Sequence, residues 1–379
     1  MRLAIYADDA YHRRGGMVYG ERAFSVFVSG LRPHFERLVL VGRLSPPGGQ
    51  ARYRAGPVEL LALPYYPKLS APLRVVPALA RSAVTFWRAL DELDCVWLLG
   101  PHPLAIVFAL LARLRGKRVV LGVRQDLPAY VRNRHPRRPD LRAAAAVLEG
   151  TFRALARRVP VVAIGPELAH KYRRSRALLE VAVSLVDTSD LVDETTALGR
   201  SYRGELRALS VGRIEAEKNP LLLADALGEL NRVEPRWRLL VCGEGELSEE
   251  LSRRLAVLGQ AGRADLVGYV PFGEELMRLY RDSHVLLHTS WTEGLPQVLL
   301  EAFAAGLPVV ASDVGGIRGA VGEAAILVPA GDPVAAAEAA QRIAADGDLR
   351  GGLITAGLDY VRARTREREG ERVARFLLS

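Results

Sequence analysis

Cysteine is scarce: Cys95 and Cys242 are the only two in 379 residues. A disulfide scaffold is thereby excluded. Both lie within apolar, strand-like runs far apart in sequence, so they read as buried free thiols of a reducing cytoplasm. Missing too is any run of roughly 18 consecutive apolar residues, and no membrane-spanning helix is expected. The N-terminal stretch MRLAIYADDA turns acidic after a very short apolar run, which does not fit a signal peptide and reads as a first strand. No short internal repeat and no low-complexity tract is found. Lysine is rare as well, four residues against 48 arginines.

What is present is a large apolar fraction, 49% of the chain, enough at this length for two domains. The net charge of +9 is unevenly spread. Residues 1–187 hold 30 Lys and Arg against 14 Asp and Glu, about +16, while the remainder carries about −7. Such asymmetry suits an anionic partner for the first half: a phosphorylated acceptor, an acidic membrane face or nucleic acid. An Arg-rich solvated surface is the bland alternative.

Taken in order, Met1 to Ala7 reads as a strand. Asp8, Asp9 and the pair Gly15-Gly16 follow, then an amphipathic helix from about 18 to 31. A glycine pair just before a helix lets backbone N–H groups approach a phosphate, and a plain tight turn is the competing explanation. Strands are predicted at 37–41 and 58–62. The segment 69–90 has apolar residues at helical spacing with arginines and Trp87 among them, a core-facing helix or a basic face for lipid headgroups. Strands at 94–99, 118–122, 159–164 and 181–185 complete the first domain, with an apolar helix over 104–114. His102 and the Arg124-Gln125-Asp126 segment each fall just past a strand end. The basic segment 132–142 reads as a mobile loop.

Residues 186–202 shift to Asp, Thr, Ser and Gly and read as a linker, dividing the chain into domains 1–187 and 188–359. A second α/β series then begins, with strands at 206–211, 238–242, 264–269, 285–289, 307–312 and 325–328. The fold class is α/β with two doubly wound, Rossmann-like domains. In the second domain the segment Glu293 to Gly316 (EGLPQVLLEAFAAGLPVVASDVGG) carries two carboxylates eight residues apart. Pro296 suits a first helical turn and Gly306 a helix end, so a helix spans about 297–305. Glu293 falls in the loop at the carboxyl end of a strand, where open α/β sheets bind ligands. Glu301 sits in an apolar helix, where a lone charge calls for a partner. Arg213 and Lys218, after the domain's first strand, could converge on one diphosphate as a planar fork and a mobile ammonium.

Together SVGRIEAEKNP, VCGEGEL, the long segment from VGYVPFGEEL to SDVGG, and AILVPAGDP resemble the retaining glycosyltransferases of family 4 (group 1), which have the GT-B fold of two Rossmann-like domains facing a central cleft. The resemblance implies a nucleotide-diphosphate sugar as donor. It implies that Arg213 and Lys218 hold the diphosphate and that Glu293 contacts the donor sugar. Glu301 would grip the ribose, Gly294 and Leu295 offer backbone N–H groups, the region of Val270 meets the base, and Gly15 and Gly16 close over the phosphates. It also implies no metal, and no Asp-x-Asp-like motif stands at a strand end here. A carboxylate suits ribose hydroxyls, and fixed cations suit a departing diphosphate. Family members often carry histidines at the end of the strand matching 95–99, where this chain has Trp97 and Leu99; His102 follows three residues later. The His-Asp pair after the next strand is replaced by Arg124-Gln125-Asp126. His102 and Asp126 are therefore the acceptor-side candidates, with loop capping as the alternative for His102. A last helix, 360–379, is expected to pack back on the first domain.

The expectation is a cytoplasmic, metal-independent retaining glycosyltransferase, without a cofactor, acting on an anionic or glycan acceptor that is cell-envelope, lipid-linked or a small molecule, with the inner membrane face as a docking surface. A sugar-nucleotide epimerase of the same fold is the rival enzyme. A polyanion-binding protein using the basic half is the rival of another class, and nucleic acid is the less favoured partner.

Overall fold

A computed structural model describes residues 1–46, 53–55, 58–66, 72–135 and 137–379. They form two compact units: Met1–Val183 with Arg366–Ser379, and Ser184–Thr365. The units divide at 183/184, whereas the composition shift suggested 187/188.

Among the described residues the first unit holds nine strands: β1 (Arg2–Arg14), β2 (Met17–Gly20), β3 (Arg37–Leu44), β4 (Tyr53–Arg54), β5 (Glu59–Leu63), β6 (Cys95–Gly100), β7 (Arg118–Val123), β8 (Val161–Ile164) and β9 (Leu178–Val181). A parallel set runs β5-β3-β1-β6-β7-β8-β9. Runs such as CVWLLG in β6 are buried almost throughout, as strands covered on both faces must be. One face packs Tyr6, Val96 and Leu98 against Phe86 and Phe108. The other packs Leu3, Ile5 and Trp97 against Phe27 and Leu377.

Several expectations change here. The first strand does not stop at Ala7. It continues through a register shift between Tyr6 and Ala10 to Arg14, then turns through Gly15 and Gly16 into the antiparallel β2, with Arg14 opposite Met17. Both glycines have positive φ, 55° and 77°, which two-residue hairpin turns of this hand require. The glycine pair is thus a hairpin turn with no helix start behind it; the nearest helix is Phe24–Ser29. The segment 132–142 is helical rather than a loop, split between Leu127–Arg134 and Pro139–Ala156, with residue 136 outside the described residues. A proline in the first turn of each helix and the Asp126 cap explain the starts. Of the predicted helix 69–90, Pro72–Ala89 is observed and 69–71 lie outside the described residues. The strand placed at 181–185 is β9, ending at Val181. Residues of the presumed linker build a helix, Glu194–Leu198, in the second unit, and the C-terminal helical stretch is broken into Gly347–Arg362 and Arg366–Leu378.

The second unit has six parallel strands: β10 (Leu206–Val211), β11 (Trp237–Cys242), β12 (Ala264–Gly268), β13 (Val285–His288), β14 (Val309–Ser312) and β15 (Ala325–Val328). Their order is β12-β11-β10-β13-β14-β15. Strand order reverses between β10 and β13, so the loops after these two strands flank the crevice where such sheets bind ligands. The helix after β13 is Gln297–Ala304, as its proline and glycine signals predict. Both cysteines are free and buried. No helix of the described residues is long and apolar enough to cross a membrane.

The helix Arg366–Leu378 belongs to the first unit by packing, with Val373, Ala374 and Leu377 buried in its core. Leu377→Ala is therefore expected to destabilise that unit by about 2–5 kcal/mol, through lost transfer energy and an unfilled cavity. Denaturant unfolding monitored by hydrogen exchange checks this: protection should fall in β1 and β6 and stay unchanged in β10 and β13.

Candidate functional site

The loops after β10 and β13 are joined by backbone groups. Thr289 Oγ1 donates to the carbonyls of Lys218 (3.1 Å) and Asn219 (3.2 Å), and Trp291 N donates to Glu217 O (2.9 Å). Asn219 adopts the left-handed conformation, φ 48°, ending the short 3-10 turn Ala216–Lys218. From the far side Gly315 presses on the second loop. A Cβ there would lie 1.9 Å from Glu293 O, so only glycine allows this approach.

This stitching brings Lys218 Nζ onto Glu293 Oε1. Ser290 Oγ donates to the same oxygen at 2.7 Å, and His288 Nε2 stands 3.2 Å from it as an ion-pair contact. Burial by itself would raise the Glu293 carboxyl, but His288 and the Lys218 charge outweigh it and hold it at about 2. Glu293 is thus ionised at physiological pH: it can accept hydrogen bonds but cannot serve as a general acid. Arg213, half-exposed, pairs with Glu215 and with Glu217 (3.2 Å). These groups border a cavity of about 280 Å³, whose lining includes Gly212, Arg213, Lys218, His288, Glu293 and Leu295.

Of the residues expected at a donor site, Arg213, Lys218, Glu293 and Leu295 therefore come together. Gly294 lies between two of them in the loop. Glu301 is buried in the helix Gln297–Ala304, and its partner is the Tyr280 hydroxyl, which donates to Oε2 at 2.7 Å. The partner that its apolar helix demanded is thus supplied by the protein itself. Val270 follows β12, two strands out from β10, and does not line the cavity. Gly15 and Gly16 form the hairpin turn of the other unit. His288, Ser290 and Tyr280 were missed by sequence reasoning. The first two are alternate residues, His288 closing β13 and Ser290 two positions beyond it, a period-two spacing that sends both side chains to Glu293.

In the first unit, His102 is buried beside Asp8. Its Nδ1 accepts from Leu104 N (3.3 Å) and meets Tyr6 Oη at 2.8 Å, so the ring proton sits on Nε2, 3.4 Å from Asp8 Oδ2. Asp8 Oδ1 is also held by Arg43 Nε (3.1 Å) and the Tyr66 hydroxyl (2.9 Å). Burial opposes ionisation of Asp8, yet His102, Arg43 and Tyr66 keep its carboxyl below the usual range. Burial lowers His102, keeping the imidazole neutral. His102 caps its helix and also faces a carboxylate, so the two readings of it coincide in one side chain. Asp126 is engaged elsewhere: it caps Leu127–Arg134 through Ala129 N (3.0 Å) and pairs with Lys171 (2.9 Å). Among the described residues no group of three or more His, Cys, Asp or Glu is disposed to hold a metal ion.

With this geometry in place, residues 197–358 match the family described as glycosyl transferases group 1. The match lies within the second unit and covers less than half of the chain. A stretch of the chain is similar to D-inositol 3-phosphate glycosyltransferases, 37% identical over 164 residues for the Frankia alni protein and 36% over 148 for that of Corynebacterium efficiens. These matches span 41% and 37% of this chain and only 40% and 35% of those relatives. Whole-chain likeness is found among solved structures. Sucrose-phosphate synthase from Thermosynechococcus elongatus superposes with a TM-score of 0.74 at 19% identity, covering 99% of this chain and 98% of that one. Anabaena HepE, solved in complex with UDP, gives 0.72 at 17% with full coverage of both chains. The fold is GT-B, each unit a doubly wound Rossmann-like domain.

Burial raises the Glu301 carboxyl from 4.5 to about 7. Between those values the folded protein holds a proton that the unfolded chain has released, so stability falls as pH rises through this window. Glu301→Gln has no such proton. Urea unfolding at a series of pH values should show the variant gaining on the native protein by roughly 3 kcal/mol from the bottom of the window to above its top.

Proposed function

We propose that this protein transfers a sugar from a nucleotide-diphosphate donor to a hydroxyl acceptor, with retention at the anomeric carbon. The observation that carries the reading is the meeting of Arg213, Lys218 and Glu293 at the β10/β13 crossover, two cations and an ionised carboxylate around one cavity. Arg213 and Lys218 would exchange their present carboxylate partners for the diphosphate, a stronger charge-assisted acceptor. As the sugar–phosphate bond breaks, negative charge grows on the leaving oxygen beside fixed cations, the electrostatic arrangement that lowers such barriers. The reading gives this duty to the two side chains and assigns none to a divalent ion.

All three contacts of Glu293 fall on Oε1, which leaves Oε2 for hydroxyl groups of the donor sugar. Backbone N–H groups of Gly294 and Leu295 would assist at the phosphate, Glu301 with Tyr280 would meet the ribose, and the segment at Val270 the base. For retention, the diphosphate departs and the acceptor arrives on one face, a phosphate oxygen taking the acceptor proton. On the acceptor side we assign Asp8 and His102 and not Asp126, because only the former pair has a carboxylate and a neutral imidazole facing one another. The basic first unit and the similarity to D-inositol 3-phosphate glycosyltransferases favour a phosphorylated polyol, or another anionic hydroxyl compound, as acceptor. A cytoplasmic place of action follows from the nucleotide-sugar donor.

Arg213→Ala should lower donor turnover roughly 100-fold or more, the scale for losing one group that stabilises developing charge. Affinity of the basic unit for a generic polyanion such as heparin should stay unchanged. Steady-state assay of UDP release from a panel of UDP-sugars, beside heparin retention, checks both. Full turnover by the variant would transfer the role away from this loop, and heparin retention with no turnover of any UDP-sugar by the native chain would favour the polyanion-binding reading.

A further inference from the structure

Two neighbouring helices of the first unit, Pro72–Ala89 and Pro103–Leu114, lie on one face of its sheet. Their inner sides fill one core: Val75, Ala78 and Phe86 from the first, Leu104, Phe108 and Ala112 from the second. The rings of Phe86 and Phe108 stack at 4.0 Å. Since both helices cover the same sheet face, their outer sides face away from it together. An outer side of this kind is ordinarily polar. Here it is not. On the second helix Val107, Leu110 and Leu114 are 38%, 53% and 77% exposed, at spacings of three and four that place them in one stripe. On the first, Val76 and Val84 are 63% and 50% exposed, about two turns apart on one side.

The charges on the two helices themselves have one sign, and the carboxylates in the turn after the first helix, Asp91 and Glu92, are paired with Arg115 and Arg37. Arg81, Arg88 and Arg113 are exposed, and Arg115 lies over the Trp87 ring at 4.0 Å from its centroid. Neither helix contains an Asp or a Glu. Apolar stripes interleaved with Arg81, Arg88 and Arg113, on helices with no carboxylate of their own, complement an anionic bilayer: the aliphatic side chains enter the acyl boundary and the guanidinium groups meet lipid phosphates. A second copy of the chain is a poorer occupant, because a two-fold contact through this face sets arginines against arginines.

We propose that this two-helix face docks the first unit on an anionic membrane surface. Helix 72–89 turns one side to the core and offers the other to lipid, and Val107, Leu110 and Leu114 of the neighbouring helix supply the larger apolar part. The inference rests on the first unit alone and does not depend on the donor-site reading.

Co-sedimentation of the full chain with vesicles of equimolar phosphatidylglycerol and phosphatidylcholine, against phosphatidylcholine alone, tests it. Binding to the anionic vesicles is expected at about 0.05 M NaCl and should weaken roughly tenfold at about 0.5 M, since headgroup attraction is screened. Leu110→Glu with Leu114→Glu should lower vesicle affinity roughly tenfold or more, with an unchanged melting temperature because both positions are exposed. Arg81→Glu with Arg88→Glu should do the same through charge. Three results would overturn the proposal: no co-sedimentation at low salt, equal binding by the leucine variant, or a dimer in sedimentation velocity that the leucine variant dissolves without any vesicle affinity.

Discussion

The contact between Lys218 and Glu293 is the interaction on which the second unit's site depends. Neither residue would take its place without the other loop. Thr289 and Trp291 bind the backbone of the first loop, Gly315 lets the chain close behind Glu293, and Ser290 and His288 add partners to the same carboxylate oxygen. A buried carboxylate is costly unless it is paired and hydrogen-bonded. Here the pairing is dense enough to hold it well below its ordinary titration range despite burial. The outcome is a fixed negative charge beside two cations, Lys218 paired with Glu293 and Glu217, and Arg213 with Glu215 and Glu217.

That arrangement explains why two glutamates eight residues apart differ so much. Glu293 sits at the crevice rim with cations and remains charged. Glu301, about one turn into an apolar helix, has only the Tyr280 hydroxyl to meet it, and burial pushes it up to about 7. One carboxylate suits permanent hydrogen-bond acceptance. The other changes protonation near neutrality, and hydroxyl donors reaching it would favour its ionised form.

Much of the fold was legible because parallel strands buried on both faces read as unbroken apolar runs, and because Pro296 and Gly306 mark both ends of a helix. Arg213, Lys218 and Glu293 were legible for a related reason: loops at strand ends in a doubly wound sheet have few places to go. What failed was local ambiguity that only backbone dihedrals resolve. Gly15-Gly16 suits a phosphate loop and a two-residue hairpin equally, and positive φ at both residues decides for the hairpin. Residues 132–142 are dense in arginine and proline, yet first-turn prolines start helices as readily as they break them. Tertiary partners were also invisible. Nothing in the local pattern joins Tyr280 to Glu301, or Asp8 to His102 across 94 positions.

The central claim is that the β10/β13 loops bind a nucleoside diphosphate through Arg213 and Lys218. Isothermal titration of the full chain with UDP, repeated on the Lys218→Ala variant and with other nucleoside diphosphates in parallel, tests it most directly. The account predicts saturable binding of one nucleoside diphosphate per chain, weakened roughly tenfold or more in the variant, the scale of one lost charge-assisted contact. Equal affinity in the variant, or no heat from any nucleoside diphosphate with the native chain, would contradict it.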